Sequence, residues 1–140
     1  IALACDHAGY LHKNKTKEYL ESKGYTINDY GCFSEESVDY PDFAHQLAES
    51  IKKEISDIGI QFCGTGNGIN MSANKHSQIR AALCWNPHIA EQARLHNNAN
   101  VLTMPARHLE WKEVKEIIDV FLSSEFEGGR HQRRVNKISI

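Results

Sequence analysis

The sequence lacks several features that would place it in a special class. No apolar run approaches the roughly 20 residues that span a bilayer, and the N-terminal segment has neither the basic start nor the cleavage site of a secretory signal. Three prolines and nine glycines in 140 residues argue against widespread disorder or a collagen-like chain. A formal net charge of −2 argues against nucleic acid or an anionic membrane as the main partner. The composition therefore predicts a single globular domain over 1–140.

The four cysteines also lack a recognisable pattern. Cys5, Cys32, Cys63 and Cys84 form no CxxC pair, and none has histidines at zinc-finger spacing. The spacing of the cysteines therefore indicates neither stabilising disulfide bonds nor a structural zinc site. Scattered cysteines are typical of a reducing compartment, so we expect a cytoplasmic protein in which most of these thiols are packing residues.

The hydrophobic pattern alternates strand and helix along the chain. Strands are predicted over 1–5, 25–30, 58–63, 80–84 and 100–104, and helices over 9–23, 41–54, 69–75, 87–96 and 109–123. The predicted fold class is α/β, a doubly wound sheet of Rossmann-like or flavodoxin-like order, with five parallel strands and helices on both faces. The commonest order for such a sheet is 2-1-3-4-5. A basic tail, 128–140, follows the last helix.

This fold predicts where a ligand binds. In open α/β sheets, ligands bind outside the carboxyl ends of the strands where the order reverses, here between strands 1 and 3. Asp6 and His7 directly follow the first strand, and Cys63 ends the third. The two loops therefore meet at one cleft, although Asp6 and His7 are also explained as a satisfied loop pair.

The loop after Cys63 carries glycines at alternate positions, Gly64, Gly66 and Gly68. Such a loop exposes backbone N–H groups at the start of a helix, which suits a phosphate or an oxyanion. A thiol in this position ionises more easily. The pattern is neither GxGxxG nor a Walker A loop, and an ordinary tight turn explains the spacing equally well. Its place at the switch point favours Cys63 as the reactive thiol.

Two further candidates lie away from this cleft in the predicted fold. His96 ends the fourth helix, at the amino edge of the sheet, so it would either reach the cleft of a second subunit or interact with its own helix dipole. Arg130 and Arg134 are four residues apart and would share one side of a helix. They could clamp a phosphate, or belong to a solvated basic tail.

Short segments along the whole chain resemble the ribose-5-phosphate isomerase B family and its galactose-6-phosphate isomerase relatives. In order, they are ACDHAG, SVDYPDFA, CGTGNG, ANK, IRAALC, HNNANVL and GGRHQRR. The resemblance implies interconversion of ribose 5-phosphate and ribulose 5-phosphate, without a metal or an organic cofactor. It also implies a homodimer or tetramer with active sites shared between subunits.

The resemblance further implies a role for each matching residue. Cys63 would move a proton between C1 and C2, Thr65 and the loop amides would stabilise the cis-enediolate, and Asp6 and His96 would open the furanose ring. The implied substrate-binding residues are Cys5, His7, Tyr40, Gly64, Gly66, Asn67, Gly68, Asn97, Arg107, Arg130 and Arg134. Among these, His7 and the three arginines would hold the phosphate. Some members use a glutamate just after the glycine loop instead of the cysteine, but Ile69 stands there, so this chain resembles the cysteine branch.

Two alternatives remain open. One keeps the chemistry and changes the substrate to galactose 6-phosphate or allose 6-phosphate, which differ from the pentose by one carbon. The other is a non-catalytic flavodoxin-like or receiver-like binding module. A receiver needs a phosphoacceptor aspartate after strand 3, where this chain has Cys63 and glycines.

Overall fold

The structure is a computed structural model that describes residues 1–139. The strands are β1 (Ala2–Cys5), β2 (Asn28–Asp29), β3 (Gly59–Cys63), β4 (Ala81–Leu83) and β5 (Val101–Pro105). The helices are α1 (Tyr10–Ser22), α2 (Tyr40–Lys52), α3 (Asn67–Ala73), α4 (Pro87–Asn97), α5 (Trp111–Ser123) and α6 (Arg130–Val135). The predicted basic tail, 128–140, therefore contains a short helix, and its last position, 140, lies outside the described residues. The predicted alternation of strand and helix is confirmed.

The sheet is parallel, but its order differs from the expectation at one edge. The observed order is β2-β1-β3-β5-β4, so the predicted 2-1-3-4-5 is wrong for the last two strands. All five residues of β5 are buried, whereas the three residues of β4 are partly exposed. The longer apolar strand therefore takes the central position beside β3, and the short one forms the edge. The reversal at β1 is as predicted, because β2 and β3 pair with opposite sides of it.

The exchange of β4 and β5 decides on which face α4 packs. In a right-handed crossover, the direction across the sheet from one strand to the next decides on which face the connecting helix lies. Two connecting helices therefore lie on opposite faces when their connections run in opposite directions. Helices α2 and α3 share one face, and α4 packs with α5 on the other. Ala90 and Ala93 are the buried residues of α4, and these small side chains allow a close approach to the apolar face of α5.

Helix α1 shows where the apolar pattern misleads. Leu11 is 60% exposed, whereas Lys13 is fully buried. The Nζ of Lys13 lies 2.8 Å from both carboxylate oxygens of Asp29, so the buried cation is paired with the strand that α1 precedes. Within residues 1–139, no helix has the length and apolar character needed to cross a membrane.

Candidate active site

The glycine loop leaves β3 at the carboxyl edge of the sheet and enters α3. Gly66 has a φ of +78°, which glycine adopts without strain, and a Cβ there would lie 2.4 Å from Leu83 Cδ1. Thr65 and Asn67 are exposed, and Thr65 Oγ1 accepts a hydrogen bond of 3.4 Å from Asn67 N. The positive φ and the close packing therefore explain why position 66 is a glycine. Both observations agree with an ordinary tight turn and with an anion-binding loop.

Two side chains from other elements lie against this loop. Tyr40, the first residue of α2, covers Gly68 so closely that a Cβ there would be 2.4 Å from Tyr40 Cζ. Arg107 lies over Gly64, with Nη1 3.1 Å from where a Cβ would be, and its backbone N donates to Gly64 O at 3.1 Å. The structure thus brings Tyr40 and Arg107 to the glycine loop of the same chain.

Cys63 is the last residue of β3, at the base of the loop. Its side chain is buried and packs with Ala44 and Ile69. Ile69, the residue that follows the glycine loop, is fully buried, so an apolar side chain packs beside the thiol.

Asp6 and His7 lie at the end of β1, next to β3. Asp6 Oδ1 accepts hydrogen bonds from Ala8 N at 2.9 Å and Gly9 N at 3.2 Å, which fixes the carboxylate. His7 Nδ1 accepts from Val38 N at 3.3 Å. With Nδ1 as the acceptor, Nε2 is the ring nitrogen that can donate to a ligand. The two residues are a hydrogen-bonded loop pair at the carboxyl edge of the sheet, where the sequence predicts the cleft.

His96, Asn97 and the α6 arginines form a second group at the opposite edge of the sheet. His96 and Asn97 end α4, shortly before β5 begins, and Asn97 lines a cavity of about 230 Å³ with the start of β4. Helix α6, which carries the exposed Arg130 and Arg134, packs against α4. Cys63 lies at the opposite end of β3, about 13 Å along a five-residue strand. Within one chain, the group around His96 is therefore separated from the group around Cys63.

The remaining cysteines are core residues, and all four cysteines of the described chain are free thiols. Cys5 is fully buried with its Sγ 3.7 Å from that of Cys32, and burial raises the pKa of Cys5 well above its usual range. Burial also raises the pKa of Cys84 to about 12. The side chain of Cys5 packs in the core, so the predicted contact of Cys5 with the substrate would be made by its backbone.

A buried polar network supports the loop and was missed from the sequence. Gln61 Nε2 donates to Thr103 Oγ1 at 2.9 Å and to Ile69 O at 3.3 Å, and Thr103 Oγ1 donates to Asn70 Oδ1 at 2.8 Å. These bonds tie the middle of β3 and β5 to α3, and so hold the helix that the glycine loop enters. The sequence signal for this network is a polar residue inside each of two apolar strands. In the sheet, these residues, Gln61 and Thr103, are directly paired.

The fold and the cleft define a class of protein. It is a doubly wound α/β protein in which a buried thiol, a carboxylate and an imidazole follow the ends of the two strands at the switch point, where a glycine-rich loop begins. Comparison with known proteins gives the family, since the model described as Ribose/Galactose Isomerase matches residues 1–138. The chain belongs to this ribose/galactose isomerase family.

Individual relatives cover almost the whole chain. Ribose-5-phosphate isomerase B of Escherichia coli strain K12 is 41% identical over 139 residues, which is 99% of this chain and 93% of that protein. The crystal structure of a ribose 5-phosphate isomerase from Thermotoga maritima is 50% identical, covers 98% of this chain and 94% of that chain, and has a TM-score of 0.96. Ribose-5-phosphate isomerase B of Mycoplasma genitalium, solved with bound ribulose 5-phosphate, is 43% identical, covers 98% and 91% of the two chains, and has a TM-score of 0.94. These structures confirm the predicted α/β fold class.

Proposed function

We propose that this chain interconverts ribose 5-phosphate and ribulose 5-phosphate through a cis-enediolate. The observation that carries the proposal is the buried thiol of Cys63 at the base of the glycine loop, with Tyr40 and Arg107 against that loop. Membership in the ribose/galactose isomerase family supports it. The relatives that carry the name ribose-5-phosphate isomerase B, one of them with bound ribulose 5-phosphate, support the pentose phosphate as substrate.

The proton transfer needs a base and a site for the developing negative charge. The Cys63 thiolate takes the proton from C2 of the open-chain aldose, and the electrons of that C–H bond form the C1–C2 double bond. The charge goes to the C1 oxygen, which the backbone N–H groups of the loop and Thr65 stabilise. The thiol returns the proton to C1, and the C2 hydroxyl proton moves to the C1 oxygen as the ketone forms.

Ring opening precedes this step, and it needs an acid at the ring oxygen. His96 donates a proton to that oxygen as its bond to C1 breaks, and the Asp6 carboxylate accepts the proton of the C1 hydroxyl. Because His96 lies at the opposite edge of the sheet from Asp6, we propose that a second copy of the chain supplies it. Asn97 lies beside His96 and reaches the same cleft. The working form is therefore a homodimer, or a tetramer built from such dimers.

The phosphate site is shared in the same way. His7 Nε2 and the Arg107 guanidinium come from the chain that holds Cys63, and Arg130 and Arg134 come from the second copy. Remote binding energy of this kind positions the sugar over the base and excludes water.

Alanine at Arg130 or Arg134 is expected to raise KM for ribose 5-phosphate by about tenfold or more, with kcat changed by less than about threefold. A charge-assisted hydrogen bond to the phosphate is lost, and the reacting atoms are untouched. Arg133→Ala, on the same exposed helix, is the matched control and is expected to behave as the wild type. Equal turnover of ribose without its phosphate by the wild-type chain would contradict a phosphate role for either arginine.

A substrate panel tests the proposed function directly. We expect kcat/KM for ribose 5-phosphate to exceed the values for galactose 6-phosphate and allose 6-phosphate by about 10- to 200-fold, because that is the discrimination one extra carbon allows. Steady-state kinetics with the three sugars give the ranking. A hexose phosphate at the top would move the function to the other branch of the family. Bound flavin on the purified protein, with no isomerisation of any of the three, would favour a binding module instead.

We also propose a domain organisation and a cellular location for this protein. One five-stranded sheet includes every strand of the described chain, as expected of a single domain over 1–140. The free thiols among residues 1–139 fit a protein that works in the reducing cytoplasm.

A further inference from the structure

In the sequence, His131 is one residue of the basic tail 128–140, but the structure gives it a specific neighbour. The imidazole of His131 lies nearly parallel to that of His96, with ring centroids 4.3 Å apart and an interplanar angle of 11°. This is close to the separation of stacked aromatic pairs. The stack forms because α6 packs against the end of α4. His131 therefore contacts the residue that the proposed function uses as an acid.

His131 is buried without the hydrogen bonds that usually accompany a buried imidazole. It is 7% exposed, and its Nε2 has no hydrogen-bond partner among residues 1–139. The carboxylate Oε2 of Glu127 lies 3.4 Å from this nitrogen. This contact is longer than a good hydrogen bond, so local hydrogen bonding alone does not account for a histidine at position 131. The flat imidazole ring, stacked on His96, gives a second reason for this residue type.

We propose that His131 is a positioning residue that holds the imidazole of His96 in the plane from which it donates its proton. The inference rests on the proposed function, in which His96 opens the sugar ring. His96 is partly exposed and ends a helix, where a side chain can rotate. A buried ring packed against its face limits that rotation. Small misplacements of an acid are expensive, since about 1 Å can lower a rate about 10²-fold.

The charges around His131 suit this role. Burial lowers the pKa of His131, and the neighbouring His96, Arg130 and Arg134 lower it further, against an opposite effect of Glu127. The lowered pKa favours the neutral form of His131. A neutral ring adds no positive charge to the stack, whereas two cations in contact would repel each other.

The same cluster could be taken for a metal site, because nitrogen or oxygen atoms of His96, Glu127 and His131 lie within 4.8 Å of one another. The ring geometry argues against it. An imidazole nitrogen binds a metal in the plane of its ring at about 2.0–2.1 Å, and nitrogens of two parallel stacked rings do not converge on one ion. Full activity after dialysis against EDTA supports the positioning role. Activity that a chelator removes and Zn²⁺ restores would overturn it.

Kinetics of the assembled enzyme test the proposal. His131→Ala is expected to lower kcat for ribose 5-phosphate roughly 10- to 100-fold with KM within about twofold. His131→Phe restores a flat ring and should stay within about threefold of wild-type kcat. His88→Ala changes a side chain on the exposed start of α4 and is the matched control. A raised KM with unchanged kcat would mean that His131 only supports Arg130 and Arg134, and would overturn the proposal, as would a phenylalanine variant as slow as the alanine variant.

Proton exchange separates this inference from the proposed function. Ribulose 5-phosphate has no furanose ring to open, since the hydroxyl that would close one carries the phosphate, so exchange of its C1 proton with D₂O proceeds without the ring-opening step in which His96 acts. We expect His131→Ala to retain this exchange, measured by ¹H NMR, within about threefold of the wild type. Loss of exchange in His131→Ala would overturn the positioning role. A wild-type chain with neither exchange nor isomerisation would remove the proposed function, and the role of His131 in catalysis with it.

The stack itself has a readout that does not depend on activity. The ring current of His131 should shift the His96 ring resonances upfield in the assembled wild type. We expect the shift to persist in His131→Phe and to disappear in His131→Ala, with circular dichroism confirming that both variants are folded. A His96 resonance at the same position in wild type and His131→Ala would overturn the proposal.

Discussion

Cys63→Ala is expected to lower kcat for ribose 5-phosphate by about 10³-fold or more, while the affinity for ribitol 5-phosphate stays within about twofold. In the proposed reaction, the thiol moves the proton between C2 and C1, whereas the phosphate is held by residues of other elements. Ribitol 5-phosphate has the phosphate but no carbonyl, so it reports binding alone. Loss of the base therefore affects proton transfer and leaves binding intact.

Steady-state kinetics and calorimetric titration give these two quantities. Cys63→Ser should be as inactive as the alanine variant, because a hydroxyl is a far weaker base at neutral pH than a thiolate. Cys84→Ala is the matched control, since it removes a fully buried thiol from the core; we expect lower stability and nearly normal kcat. Near-normal turnover by either Cys63 variant would show that another group is the base.

The features predicted correctly from the sequence are those that depend on local pattern. Strand β3 is a short apolar run bounded by a glycine-rich turn, and Cys63 ends it at the predicted residue. The placement of Asp6 and His7 beside that strand needed only the reversal between strands 1 and 3. The local sequence pattern is therefore sufficient to place these three residues at the same edge of the sheet, on neighbouring strands.

The positions of β4 and β5 could not be predicted in the same way. Right-handed crossovers are compatible with either order, so the local pattern does not choose between them. The choice depends on which strand is better buried, and the apolar residues of β5 are covered on both faces of the sheet. The pairing of strands brings together residues that are far apart in the chain. The spacing of hydrophobic residues along the sequence carries no information about it.

Buried polar residues could not be predicted from the local pattern either. Lys13 lies on the buried face of α1 because Asp29 pairs with it, and Leu11 is exposed instead. Gln61 and Thr103 are buried and hydrogen-bonded to each other across neighbouring strands and to residues of α3. In both cases a polar side chain needs a partner from a distant segment. The partner becomes evident only when the sheet register is known.

A mixture of two inactive variants is expected to regain activity if the active site is shared. Cys63→Ala lacks the base and His96→Ala lacks the acid, so neither homodimer has a complete site. A hybrid dimer has one site with both residues intact and one with neither. Random exchange of equal amounts makes about half of the dimers hybrid, so we expect about a quarter of wild-type activity.

The assay compares ribose 5-phosphate turnover before and after subunit exchange, with mass spectrometry measuring the hybrid fraction. A mixture of Cys63→Ala with the double variant Cys63→Ala/His96→Ala is the matched control, because no pairing of these chains restores the base. The two groups lie at opposite edges of one sheet, at the end of β3 and the end of α4. No recovery despite proven hybrids would mean that both residues act within one chain. In that case α4 and α6 would have to leave their observed positions during catalysis, because their present packing keeps His96 away from Cys63.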